Sequence, residues 1–128
     1  MGKARILLID DEEDFLLLMK KNLELQGYEI ITATDGDLGL EKARSLKPDL
    51  VICDWSMPKK NGCEVLKEFR KDKSLRIPFI ILTAVDDFDK VREAYDSEVD
   101  FYAPKTIELQ KLYKRITTIL NLSKNRIW

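Results

Sequence analysis

The sequence predicts an α/β fold: a doubly wound parallel sheet of five strands, in the order 2-1-3-4-5, with helices on both faces. Three observations predict it. The apolar runs ILLI, LVIC and FIIL are continuous rather than alternating, as strands buried on both faces must be. Stretches with apolar residues at helical spacing separate these runs in strict alternation. The 128 residues contain no repeat, low-complexity segment or linker, so a single domain is expected over 1–128.

Each element follows in order. Residues 4–9 form a β-branched and leucine run, the first strand. Residues 13–26 carry Phe15, Leu18, Met19 and Leu23 at helical spacing, and Gly27 is a suitable stop. Residues 28–33 form the second strand, and Asp35-Gly36 opens a helix with Leu38, Ala43 and Leu46. Lys47-Pro48-Asp49 breaks that helix, and residues 50–54 are the third strand. A loop over 55–62 leads to a helix with Val65, Leu66 and Phe69. Pro78 precedes the fourth strand, 79–83, and the next helix sets Phe88, Val91 and Tyr95 on one face. Residues 99–103 are the fifth strand, cut by Pro104. The last helix, 107–122, turns Leu109, Leu112, Ile116, Ile119 and Leu120 inward.

Composition narrows the function. Charged residues make up 35% and hydrophobic residues 45%, which is globular, and a net charge of -1 gives no global attraction to nucleic acid or anionic lipid. There is no histidine, which excludes Ser-His-Asp and Cys-His catalysis and histidine metal sites on this chain. Cys53 and Cys63 form no CxxC pair and are expected to be reduced, one in the core and one at a helix start. No apolar run approaches the roughly 18 residues that span a bilayer. The N-terminus turns acidic too early for a signal peptide, so a cytoplasmic protein is expected. Lys67, Arg70, Lys71, Lys73 and Arg76 are interspersed with Glu64, Glu68 and Asp72, the pattern of a solvated helix face rather than a nucleic-acid patch.

The polar residues at the strand ends carry the chemistry. In a doubly wound sheet, sites form outside the carboxyl ends of the strands, at the switch in strand order. The first strand runs into Asp10-Asp11, the third ends in Asp54, the fourth in Thr83, and the fifth runs into Lys105. The topology therefore gathers carboxylates, a hydroxyl and an ammonium at one rim. Two like charges about 4 Å apart repel by roughly 4 kcal/mol at an effective dielectric of 20, so protons or a cation must relieve the crowding. Oxygen ligands of this kind suit Mg²⁺, and Lys105 and Thr83 can hold phosphoryl oxygens. The set suits phosphoryl transfer with Asp54, central among the strands, as the nucleophile.

ILLIDDEEDF, CDWSMPKKNG, IILTA and FYAPK together resemble the receiver domain of bacterial two-component response regulators over nearly the whole chain. That family shares the 2-1-3-4-5 order of the flavodoxin-like sandwich, so strand order and resemblance are one expectation rather than two. The resemblance implies that Asp54 is the phosphoacceptor for a phosphohistidine of a sensor histidine kinase or histidine phosphotransfer protein. It implies Mg²⁺ held by side chains of Asp11 and Asp54 and the backbone carbonyl of Ser56, with Asp10 acting mainly through a metal-bound water. It implies phosphoryl-oxygen contacts from Thr83 and Lys105, and a switch pair of Thr83 and Tyr102. That switch would reshape the face of the fourth helix, fifth strand and fifth helix, where a downstream protein docks. Such a domain modifies only its own aspartate. It contacts no nucleic acid or membrane directly, and a homodimer is compatible with it. Ser56 and Val85 are expected to tune the phosphoryl lifetime.

Some residues depart from the family pattern. The order Pro104-Lys105-Thr106 puts the proline before the lysine instead of after it, and Glu98-Val99 replaces a Gly-Ala pair, removing an easy left-handed residue. Rival readings are a docking module that needs no phosphorylation, a flavodoxin-like cofactor binder and an aspartyl-phosphate phosphatase. The flavin reading lacks a phosphate cradle, because DDEED follows the first strand. The phosphatase reading expects an acid where Ser56 stands.

Overall fold

The computed structural model describes residues 2–84 and 87–124. The strands are β1 (Arg5–Ile9), β2 (Glu29–Ala33), β3 (Leu50–Asp54), β4 (Phe79–Thr83) and β5 (Phe101–Pro104). The helices are α1 (Glu13–Leu25), α2 (Gly36–Leu46), α3 (Gly62–Lys71), α4 (Phe88–Asp96) and α5 (Leu109–Ser123). All strand pairs are parallel, and the order is β2-β1-β3-β4-β5, as the sequence predicts. β3 and β4 are buried at every position, which explains their unbroken apolar runs.

The pleat divides the core into two layers. Ile6, Leu8, Leu50, Ile52, Ile80 and Leu82 pack with Leu16, Met19 and Leu23 of α1 and Leu112, Ile116 and Ile119 of α5. The alternate residues Leu7, Ile9, Val51, Cys53, Phe79 and Ile81 pack with α2, α3 and Ala94 of α4. Each fully buried leucine or isoleucine contributes about 1.5–3 kcal/mol. Both cysteines are buried and free, as expected.

The structure corrects several details. Leu18 is 60% exposed, and Leu16 takes its place facing the sheet. The face expected of α4 is largely outside: Phe88 and Tyr95 are exposed, and Ala94 is the one buried residue of that helix. β5 begins at Phe101 and includes Pro104, whose partner in the ladder is Thr83. Leu109 opens α5 but is itself partly exposed. Glu98 adopts φ +69 and so supplies the left-handed turn without glycine, a conformation that costs about 1–2 kcal/mol. Arg70 holds the carbonyl of Glu98 with Nε and Nη2 at 3.1 and 2.8 Å, so this residue belongs to a clamp and not only to a solvated face. Among the described residues no peptide bond is cis, the bonds around Lys105 included. No described helix is long and apolar enough to cross a membrane.

Candidate functional site at the carboxyl rim

The ladder sets each polar residue at the rim. Asp54 is the last residue of β3, opposite Leu82. Asp10 lies one step beyond β1, its N–H donating to the Ala33 carbonyl at 3.1 Å. Lys105 lies one step beyond β5, its N–H donating to the Thr83 carbonyl at 2.8 Å. The loop after Asp54 folds back tightly, and the N–H of Gly62 donates to the Trp55 carbonyl at 2.7 Å. A Cβ on Gly62 would run into the Asp54 carbonyl oxygen, so only glycine lets α3 begin this close to the strand end. Asn61 and Glu64 form a reciprocal capping box that fixes the start of α3.

The rim is buried and charged. Asp10, Asp54 and Thr83 are 3%, 5% and 1% exposed. The Lys105 ammonium stands 2.8 Å from Asp10 Oδ2, 2.7 Å from Glu12 Oε1 and 3.5 Å from Asp54 Oδ2. It also lies 4.4 Å from the centroid of the Phe15 ring. Asp54 Oδ1 is buried without a hydrogen-bond partner among the described residues. Burial first, and the Asp10 charge second, push the Asp54 carboxyl up to about 6, against the pull of Lys105 and the Ser56 backbone N–H. Burial also raises Asp10, outweighing its hydrogen bond from Lys105. Burial alone would lower Lys105, yet hydrogen bonds to Asp10 and Glu12 and the field of Asp54 carry it above the ordinary lysine value.

Carboxylate oxygens of Asp10, Glu12 and Asp54 all lie within 4.8 Å of one another. Together with the orphaned Oδ1, this hard, anionic, all-oxygen set fits a small divalent cation. The structure thus brings together Asp10, Asp54, Thr83 and Lys105 at one rim. It does not bring the exposed Asp11 into the carboxylate group. Ser56 is exposed in the loop directly after Asp54, and Val85 lies outside the described residues. Tyr102 is half-buried in β5, its ring edge-on to buried Trp55 at 6.2 Å between centroids. Glu12 and Phe15 are the site neighbours that the sequence reading missed. The acid run DDEED signals that more than two acids are at hand, but not which one turns inward.

Comparison with known proteins adds a family. The response regulator receiver domain profile matches residues 6–117. The alkaline phosphatase synthesis transcriptional regulatory protein PhoP of Bacillus subtilis (strain 168) is 41% identical over 121 residues, which are 94% of this chain and 50% of that protein. The response regulator ArlR of Staphylococcus aureus is 36% identical over 118 residues, 91% of this chain and 52% of that protein. The chain thus spans about half the length of the curated relatives it matches. A response regulator receiver domain protein from Clostridium thermocellum superposes with a TM-score of 0.88 at 34% identity, over 94% of this chain and 97% of that one. A CheY-like receiver domain protein from Methanospirillum hungatei JF-1 gives a TM-score of 0.89 at 26% identity, over 96% and 98%. Agreement over nearly the full length, in profile, relatives and fold alike, means that this chain belongs to the response regulator receiver domain family.

Proposed function

We propose that the chain, as one receiver unit, accepts a phosphoryl group on Asp54 from a phosphohistidine of a sensor histidine kinase or histidine phosphotransfer protein. The observation that carries this is the state of Asp54. Its carboxylate is buried, one oxygen has no partner among the described residues, and a lysine ammonium waits 3.5 Å from the other. In the transfer, an Asp54 oxygen bonds to phosphorus as the phosphorus–nitrogen bond of the partner's imidazole breaks. Lys105 and Thr83 take phosphoryl oxygens, one as a point charge and one through its hydroxyl. Asp10, Asp11 and Asp54, with the Ser56 carbonyl, would hold Mg²⁺, which would supply neutralising charge for the crowded oxygens. The chain then acts on its own aspartate alone and turns over no separate substrate.

The output follows from where the chain leaves apolar surface. Thr83 and Tyr102 are the switch pair, and the α4-β5-α5 face carries the signal to a downstream protein or to a second copy. The exposed Phe88 and Tyr95, on a helix that buries only Ala94, support that face as the contact surface. The domain itself touches neither nucleic acid nor membrane. In support, Lys67 is paired with Glu93 at 2.9 Å and Arg70 is committed to the protein's own carbonyls. A cytoplasmic location suits a partner of this kind.

Trp55, next to Asp54, reports the test. In a Trp128→Phe background, millimolar Mg²⁺ should change Trp55 fluorescence, and a small phosphodonor should change it again. Asp54→Asn should abolish the second change. An equal second response in Asp54→Asn would refute the assignment. Silence to donor in both proteins would leave a docking module that needs no phosphorylation.

A further inference from the structure

Lys105 spends its hydrogen bonds in an unexpected direction. Its two short contacts, 2.7 Å to Glu12 Oε1 and 2.8 Å to Asp10 Oδ2, and the Phe15 ring at 4.4 Å all lie toward the start of α1. The contact to Asp54 Oδ2, at 3.5 Å, is longer than the 2.7–2.9 Å or so of a good charge-assisted hydrogen bond. An ammonium has three donors, and two of them are taken by Asp10 and Glu12 rather than by the reactive carboxylate. Glu12 is also the N-cap residue of α1, yet its side chain makes no capping hydrogen bond. Its backbone N–H donates instead to Asp10 Oδ1 at 2.9 Å, and its carboxylate turns onto Lys105. Glutamate is not a preferred N-cap residue, and the Glu12 carboxylate is left to pair with Lys105.

We infer that Glu12 is a positioning residue: with Phe15 it latches the Lys105 ammonium toward α1 while Asp54 is unmodified, and Lys105 leaves Glu12 when anionic oxygens arrive on Asp54. The inference rests on the phosphoacceptor reading of Asp54. Burial shows which partner gives way. The Glu12 side chain is 63% exposed, whereas those of Asp10 and Asp54 are each 4% exposed. Water can solvate the exposed Glu12 carboxylate once Lys105 departs. A phosphoryl group on Asp54 carries more negative charge than the carboxylate of Glu12 and attracts the ammonium more strongly. The latch therefore favours the unmodified arrangement and lowers the apparent affinity of the site for any anion on Asp54, by the fraction of molecules in which Lys105 is held.

Two measurements on the full chain test this, using Glu12→Ala and, as an equal change of charge outside the contact, Glu13→Ala. The first needs no metal. The Lys105 ammonium resonance is observed by ¹⁵N correlation in metal-free protein and assigned by its loss in Lys105→Arg. Glu12→Ala should shift or broaden it, and Glu13→Ala should not. The second is the affinity for the beryllium trifluoride anion, an acyl-phosphate mimic, at saturating Mg²⁺, read by Trp55 fluorescence. It should tighten by about three- to tenfold in Glu12→Ala and stay within about twofold in Glu13→Ala. An affinity in Glu12→Ala no tighter than in Glu13→Ala overturns the latch. If it comes with a large loss of Mg²⁺ affinity, Glu12 is a metal-holding acid instead. If the wild type takes up no mimic, the phosphoacceptor reading fails. The resonance alone then decides, and an unmoved Lys105 signal in Glu12→Ala overturns the latch.

Discussion

The two ends of this sheet both carry buried ion pairs, yet they resolve their charges in opposite ways. At the amino rim, Arg70 Nη2 meets Asp100 Oδ2 at 3.0 Å, with both side chains under a fifth exposed. The other donors of Arg70 reach the carbonyls of Glu98 and Ile77, and Asp100 Oδ2 also accepts the Phe79 N–H at 2.8 Å. One cation faces one anion, and neighbouring backbone groups satisfy both. At the carboxyl rim, one ammonium faces the carboxylates of Asp10, Glu12 and Asp54, and one Asp54 oxygen has no partner among the described residues. Burial alone therefore does not mark a functional charge. Crowding of like charges and unmet hydrogen-bonding capacity do, because a stable fold removes both wherever it can.

The largest expected effect breaks the comparison at the amino rim. Arg70→Met removes the cation and leaves the Asp100 carboxylate and the carbonyls of Glu98 and Ile77 to find other partners. Removing one member of such a buried pair costs about 3–5 kcal/mol, which a shift of the urea midpoint will register. The Mg²⁺ response of Trp55 should survive in the molecules that remain folded. A loss below about 1 kcal/mol would mean that the clamp is no tighter than a surface pair.

The sequence makes one rim far more legible than the other. Asp10, Asp54, Thr83 and Lys105 stand where apolar runs stop, and the rule that sites gather at the carboxyl ends converts that punctuation into a place. Arg70 has no such signal. Its main partner is the carbonyl of Glu98, a residue held at φ +69, and periodicity cannot see a backbone angle. The choice between Asp11 and Glu12 is hidden for a related reason: both are exposed acids of one turn, and the N-cap geometry decides which meets Lys105. In α1 the run of leucines at 16–18 satisfies helical spacing in more than one phase, so spacing points to Leu18 where Leu16 is buried. Phe88, Val91 and Tyr95 do share a stripe of α4, but only Ala94 of that helix is buried, so the stripe indicates a surface rather than a core.

A smaller effect sharpens the comparison at the carboxyl rim. Burial and the Asp10 charge hold Asp54 up to about 6 in the fold, against about 3.9 in an unfolded chain. Between these values the folded chain keeps a proton that the unfolded chain has lost. Stability from this group is full below about pH 4 and is lost as pH rises through about 6, by about 2–3 kcal/mol in all. Asp54→Asn cannot titrate, so metal-free wild type should weaken relative to Asp54→Asn over that window in urea unfolding at a series of pH values. Mg²⁺ at pH 7 should then stabilise the wild type more than the variant. Parallel pH curves would show that the crowding is relieved in some other way.

The smallest effect separates burial from contact number as the cause of the difference. Arg5 also sits at the amino rim and is well connected: Nη1 donates to the Leu46 carbonyl at 2.9 Å, and Nε lies 3.3 Å from Glu29 Oε1. Its backbone is bonded twice to Asp49, through its N–H to Oδ2 and through its carbonyl to the Asp49 N–H, each at 2.8 Å. Only the side-chain contacts are lost in Arg5→Met, and that side chain is 43% exposed. Water takes over the Leu46 carbonyl and Glu29, so the expected loss is about 0.5–1 kcal/mol, and less in 1 M salt. Arg70 and Arg5 each hold a carboxylate and helix-end or loop carbonyls at the same rim, and they differ mainly in access to water. A loss from Arg5→Met as large as that from Arg70→Met would make the number of bonds the deciding quantity. The carboxyl rim, where Lys105 has as many close partners, would then have to be explained as structure rather than chemistry.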